Sequence, residues 1–256
     1  MATKPQPQQP LVNLAMIKSP LPVKDLNEAQ LRELQTALNR LGFPAGEIDG
    51  LFGPKTRNAW AEFKTDMFPG NPELIGAEAV ALLVEKLGQL PSTATRNFAD
   101  KDATIAAIKS ECAAQGIGLP SQIAYVLATT QWETAQTFKP VKEAFWLSED
   151  WRREHLSRYF PYYGRGYVQL TWKNNYQKYS DILGRDLVGN PDQAMEPEVA
   201  LFVLVHGFKT GTFTGRKITD YINATQTDFV NARRCINGHD KAHEIAALAQ
   251  EFLKTL

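Results

Sequence analysis

The chain has 256 residues, 43% of them hydrophobic and 22% charged, with 28 basic side chains balanced by 28 acidic ones. That length suits one or two globular domains with cores large enough to stand without disulfides, and a net charge of zero argues against electrostatic attraction to nucleic acid or an anionic membrane. Two cysteines, Cys112 and Cys235, are too few for a cysteine-based zinc site and are expected as reduced, packed thiols.

Residues 1–25 are rich in Pro, Gln and Lys and show no sustained period, which predicts a flexible leader with order beginning near Leu26. No apolar h-region is read there and no apolar stretch is long enough to span a bilayer, so no signal peptide and no membrane insertion are expected. On that reading the protein is expected to be made in the cytoplasm.

From Asn27 the pattern changes. Leu31, Leu34, Leu38 and Leu41 recur at helical spacing, Asn27 and Gln30 offer a capping box, and Gly42 offers a stop. A turn-rich segment follows, with Asp49-Gly50 and Gly53-Pro54. A second helix should turn Ala59, Trp60 and Phe63 inward, and a third should use Ala77, Val80, Leu83, Val84 and Leu87. These three helices define a small domain over residues 26–90. Residues 91–100, with Pro91-Ser92-Thr93, read as a linker, and residues 101–256 as a second domain. There Thr104, Ile105, Ile108 and Cys112 form a stripe closing at Gly116 and Gly118. Pro120-Ser121 opens a helix whose apolar surface is nearly continuous, as a buried helix requires. Later helices are predicted over 172–183, 197–210, 218–222, 227–236 and 240–256, with an irregular hairpin over 160–170. The predicted class is mainly α.

Glu133 ends the buried-looking helix beside Trp132. A carboxyl in apolar surroundings keeps its proton, because desolvation penalises the charged form, and a general acid near neutral pH needs this; an exposed helix-end glutamate is the plain alternative. Glu143 lies past Pro140, which breaks helical continuity, so it is expected on a loop that folds back. Such a loop can face Glu133 across a groove at the roughly 6.5–9.5 Å that leaves an inverting glycosidase room for a water. The spacing equally allows a surface charge, and Glu149 and Glu154 compete for the base. The segment Tyr162 to Tyr179 sets Gln169, Thr171, Asn174 and Asn175 among Tyr167, Trp172 and Tyr176. Amides and hydroxyls beside flat rings suit a sugar, though the same mixture also builds a core. His239 and His243 have a zinc-like spacing, but no third ligand is evident.

Two resemblances sharpen this reading. LRELQTALNRLGFPAGEIDGLFGPKTRNAWAEFK resembles the three-helix peptidoglycan-binding domain through Leu34-Gln35, Leu38, Leu41-Gly42, Ile48-Asp49-Gly50, Phe52-Gly53, Thr56, Ala59 and Phe63. The family's second half-repeat is degenerate, keeping only Gly76. GRGYVQLTWKNNY resembles the GRGPIQLSWNYNY segment of family 19 glycoside hydrolases, WET at 132–134 resembles the family's HET, and RRCINGH at 233–239 resembles its INGG segment. The resemblance implies a lysozyme-like helical domain with a central cleft and no cofactor. It makes Glu133 the proton donor, Glu143 the base and Thr171 a holder of the attacking water. Gln169, Asn175 and Asn237 match its substrate-contacting positions, with Tyr167, Trp172 and Tyr176 beside them. Trp132 replaces the family's His, Ala135-Gln136 its glycines, Tyr167 its Pro and His239 its second Gly.

The expected activity is inverting hydrolysis of β-1,4 bonds in peptidoglycan by a monomer, in the manner of a phage endolysin. Alternatives are a chitinase, a zinc peptidase of the wall, and an inactive wall binder.

Overall fold

The computed structural model describes residues 11–89 and 96–256. They form two compact units, the first of residues up to 89 together with Asp181–Gly184 and the second of the rest from residue 96. Residues 1–10 of the expected leader and 90–95 of the expected linker lie outside the described residues.

The first unit is built on α1 (Glu28–Arg40), α2 (Pro54–Met67) and α3 (Ala77–Gln89). The capping box at Asn27 and Gln30 is formed from both sides. Leu31, Leu34 and Leu38 of α1 bury themselves against Ala59, Trp60 and Phe63 of α2 and Val80 and Leu83 of α3, each large side chain contributing about 1.5–3 kcal/mol. Val84, expected inside, is half exposed.

The leader expectation is corrected for residues 11–25. Leu11, Leu14, Ile17 and Val23 belong to the buried core of this unit. The Glu33 carboxylate of α1 accepts bonds from the Asn13 and Leu14 backbone N–H groups and from the Asn13 amide. A two-residue strand β1 (Leu21–Pro22) pairs antiparallel with β2 (Leu74–Ile75), with Leu21 opposite Ile75. The apolar run from Leu11 to Ile17, between Pro10 and Pro20, is too short for an α-helix and forms only the 3₁₀ turn Leu14–Met16, yet it buries because α1 supplies the polar partners.

The motif residues of this unit converge on one buried amide. Gln35 Nε2 donates to Asp49 Oδ1, the Leu51 carbonyl and Thr56 Oγ1, while its Oε1 accepts from the Gly50 N–H at 2.9 Å. Gly50 has φ +72°, and a Cβ there would lie 2.5 Å from Glu28 Cγ, so the turn requires glycine. The Leu51 N–H first, then Gln35, hold the Asp49 carboxyl below its ordinary range. Thr56, read from sequence as a possible cap, is instead part of this network.

The second unit centres on α5 (Pro120–Glu133), whose residues from Gln122 to Thr130 are all buried. Around it stand α4 (Lys101–Ala114), α8 (Pro197–Thr210) and α9 (Ala242–Leu253), with α9 packed most extensively on α5. α8 ends at Gly211 in the left-handed conformation, a usual helix stop. The remaining elements are β3 (Val141–Lys142), α6 (Glu149–His155), β4 (Arg165–Gly166) and α7 (Lys173–Leu183). The predicted helices at 218–222 and 227–236 shorten to single 3₁₀ turns, Ile218–Asp220 and Asn231–Cys235. The fold is mainly α.

The expected linker also ends sooner than residue 100. Asp100 caps α4 by accepting the Ala103 N–H, and Arg96 pairs with Glu111 of α4 and Glu198 of α8. Cys112 and Cys235 are free and buried, as expected.

Candidate active site

The structure gathers the predicted site residues into two groups. The first forms at the end of α5. Glu133 Oε1 accepts a bond from Arg233 Nη1 at 2.8 Å. The Arg233 side chain is 3% exposed and that of Glu133 16%. Arg233 Nε donates to the Asp240 carbonyl, and the Asn237 N–H donates back to the Arg233 carbonyl. The turn carrying Asn237 is therefore folded onto the arginine that faces Glu133, and Asn237 itself is exposed. The apolar surroundings expected for Glu133 are corrected here: its nearest polar partner is a buried guanidinium. The bond engages one carboxylate oxygen, so Oε2 is left outside it.

The second group forms on the β3–β4 pair, in which Val141 faces Gly166 and Lys142 faces Arg165. Glu143 follows β3 directly. Its N–H donates to the Gly164 carbonyl at 2.7 Å, its Oε2 accepts the Gly164 N–H at 2.9 Å and its Oε1 accepts the Tyr159 hydroxyl at 2.8 Å. A Cβ on Gly164 would lie 2.6 Å from Gln169 Oε1 and 3.1 Å from Gln169 Cβ, so a larger residue there would have to displace the Gln169 side chain. Arg152 of α6 donates to the Glu143 and Ala144 carbonyls and pairs with Glu149, which fixes the loop from outside. Burial, then the hydrogen bond to Glu143, push the Tyr159 hydroxyl up to about 12, so it stays a donor at any working pH.

Gln169 joins this group by donating to the Val141 carbonyl, and Thr171 Oγ1 donates to the Gln169 carbonyl at 2.7 Å. Asn175 Nδ2 donates to the Thr171 carbonyl. Gln169 and Trp172 both have positive φ, 56° and 75°, a conformation that side chains rarely adopt and that collects at functional turns. Trp172 is 43% exposed, its ring lying 5.1 Å from that of Tyr159, with the Arg158 guanidinium over it.

Tyr167 and Tyr176 do not belong to a groove. Tyr167 is 1% exposed, and Tyr176 is fully buried, donating to the Tyr163 carbonyl and accepting from Arg165. Their assignment as substrate contacts is corrected. Aromatic rings beside amides build a core as readily as a sugar cleft, and here Arg165 draws Tyr176 inward. Arg165 is itself buried, bonded to Asp192 Oδ1 and to the Pro161 and Tyr163 carbonyls. Of the competing acids, Glu149 accepts the Tyr163 hydroxyl and pairs with Arg152, whereas the Glu154 side chain is 80% exposed. Arg233, Tyr159 and Arg152 were missed as functional candidates. Arg233 at least lay inside a recognised segment, and a buried arginine implies an acidic partner.

Two braced carboxylates, with one exposed ring and half-buried amides beside one of them, are equipment for acid–base chemistry on a polyhydroxylated substrate. Residues 91–212 match the family model of chitinase class I, and residues 27–67 match that of a putative peptidoglycan binding domain. The chain thus carries, in order, one stretch similar to peptidoglycan-binding domains and one similar to family 19 glycoside hydrolases. Among curated proteins, Chitinase 11 of Oryza sativa subsp. japonica is 57% identical over 42 residues, covering 16% of each chain. Acidic endochitinase Q of Nicotiana tabacum is 58% identical over 31 residues, covering 12% of each. The matches thus span less than a fifth of those relatives' length. A crystal structure of a bacterial family 19 chitinase aligns over 66% of this chain and 92% of that one, at 18% identity and a TM-score of 0.39.

Proposed function

We propose that the protein is a cell-wall glycosidase that hydrolyses β-1,4 bonds of peptidoglycan with inversion. The observation that carries this is the joining, in one chain, of a stretch similar to peptidoglycan-binding domains and one similar to family 19 glycoside hydrolases. The first holds the enzyme on the polymer and raises the local concentration of the second. In this reading Glu133 protonates the leaving oxygen from its free Oε2 while Arg233 steadies Oε1. Glu143, fixed by Tyr159 and Gly164, takes a proton from water on the opposite face of the sugar. The Thr171 hydroxyl, with its proton engaged by Gln169, offers its lone pairs to that water. Gln169, Trp172, Asn175 and Asn237 contact the glycan. No cofactor enters the scheme.

Mass spectrometry of fragments released from purified peptidoglycan tests it. New reducing ends without new amino groups are expected, with an inverted anomer seen by NMR at early times. Free amino groups, with loss of activity in EDTA, would instead indicate a peptidase. A second reading, hydrolysis of chitin, is favoured by the names of the curated relatives, and release from chitin under the same conditions weighs it. We further propose that the protein acts as an endolysin, synthesised in a host cytoplasm and reaching the wall after membrane permeabilisation. Expression should then lyse a host only when a pore is supplied.

A further inference from the structure

A pocket of about 420 Å³ opens where the end of α5 meets α9, lined by Gln131, Trp132, Ala135, Gln136, Glu244 and Leu248. The depression is partly open to solvent, which suits a single side chain laid along it rather than an enclosed ligand. Trp132 is 38% exposed, and it precedes Glu133, whose own side chain is engaged by Arg233. Ala135 and Gln136 both have positive φ, so the chain turns sharply along the pocket wall. The lining is chemically divided. Trp132 and Leu248 are apolar, Gln131 and Gln136 carry amides, and Glu244 is anionic. The Glu244 backbone N–H first, then Lys241, hold that carboxyl below its ordinary range. Its contact with Lys241, at 3.2 Å and with both side chains 48% exposed, is of the kind that contributes little and exchanges readily.

We propose that this pocket receives an aliphatic side chain ending in an ammonium group, supplied by the stem peptide of the glycan being cut. Trp132 and Leu248 cover its methylenes, Glu244 pairs with its ammonium in place of Lys241, and Gln131 and Gln136 meet peptide groups. A bare amino-sugar polymer has no such chain, so the pocket separates peptide-bearing glycan from chitin. The inference rests on peptidoglycan being the substrate.

The test uses the full chain. Nα-acetyl-lysine methylamide is titrated while the Trp132 indole N–H is followed by NMR, with the norleucine analogue as control. A saturable shift with the lysine compound, absent with norleucine and lost in Glu244→Gln, is expected. In parallel, the KM for purified walls should rise about threefold to tenfold when their side-chain amines are acetylated. Glu244→Gln should have the raised KM on both preparations and the wild-type rate on chitin oligosaccharides. An unmoved Trp132 signal, or a Glu244→Gln variant that responds to acetylation as the wild type does, overturns the proposal. Cleavage of chitin but not of walls, with the lysine compound still bound, instead removes the substrate reading and with it the stem peptide as occupant.

Discussion

The two glutamates are held in opposite ways. Glu133 meets a buried, permanently charged guanidinium through one oxygen, whereas Glu143 has both oxygens bonded to neutral donors, a phenol and a backbone N–H. A neutral cradle aims a carboxylate while leaving its negative charge whole, which suits a base that must attract a proton from water. A charged partner on one oxygen fixes the other in space and can steady the negative charge left after a proton has been delivered. In the proposed mechanism the roles of acid and base are those the family resemblance implies, and this difference in bracing is what the variants below probe.

The largest expected effects break this comparison outright. Glu133→Gln and Glu143→Gln should each lower kcat by about 10²–10⁴-fold, the usual contribution of a positioned acid or base. They should be rescued differently. A substrate with an activated aryl leaving group needs no proton donor, so it should restore much of the rate to Glu133→Gln and little to Glu143→Gln. Azide, a nucleophile that needs no base, should restore turnover only to Glu143→Gln. Rescue in the reverse pattern would exchange the roles.

A smaller effect sharpens the first arm. Arg233→Lys keeps the charge but loses the fork that serves Glu133 and the Asp240 carbonyl together. A fall in kcat of about 10-fold to 100-fold is expected, with KM changed less. An unchanged kcat beside a lowered Tm would make Arg233 a purely structural partner. On the second arm, Tyr159→Phe removes one of two donors to Glu143. A hydrogen bond to a charged group contributes about 1.5–3 kcal/mol, and the Gly164 N–H keeps the carboxylate aimed, so a loss of about 10-fold in kcat is expected. If Tyr159→Phe were as damaging as Glu143→Gln, the hydroxyl itself would be touching substrate.

This contrast was only partly legible in the sequence. α1, α5 and α8 announce themselves because their apolar positions follow the helical period or fill it completely. α6 does not, since EDWRREH is polar apart from Trp151 and owes its place to Arg152, which reaches out to the Glu143 loop. The leader was misread for a related reason: the apolar run from Leu11 to Ile17 is short and set between Pro10 and Pro20, and the turn in its middle is tied down by Glu33, about twenty residues away. Glu133 and Glu143 could be singled out, but the partner of Glu133 lies a hundred residues along the chain, where no local pattern reports it. Tyr167 and Tyr176 show the converse. Their neighbours in sequence suggested a sugar surface, while both rings are buried, that of Tyr176 beside the buried Arg165.

A third carboxylate completes the comparison by sharing its arginine. Glu198 and Glu111 both bond Arg96, so one guanidinium serves two acids where Arg233 serves one. Burial first, opposed by Arg96 and assisted by Glu111, pushes the Glu198 carboxyl up from 4.5 to about 7. Between those values the folded protein retains a proton that the unfolded chain has released. Stability therefore falls as pH rises through that window and is level above it. A fully buried group shifted this far would contribute about 3 kcal/mol. The Glu198 side chain is 20% exposed, so screening reduces the effect to about 1–2 kcal/mol. Glu198→Gln should accordingly raise Tm by a few degrees at pH 8, where a change of about 1 kcal/mol moves a domain of this size by about 2–4 °C, and leave it nearly unchanged at pH 4.5. Thermal melts at the two pH values decide the matter: equal shifts at both would mean that Glu198 is not the group that titrates, and that Arg96 can satisfy two carboxylates as fully as Arg233 satisfies one.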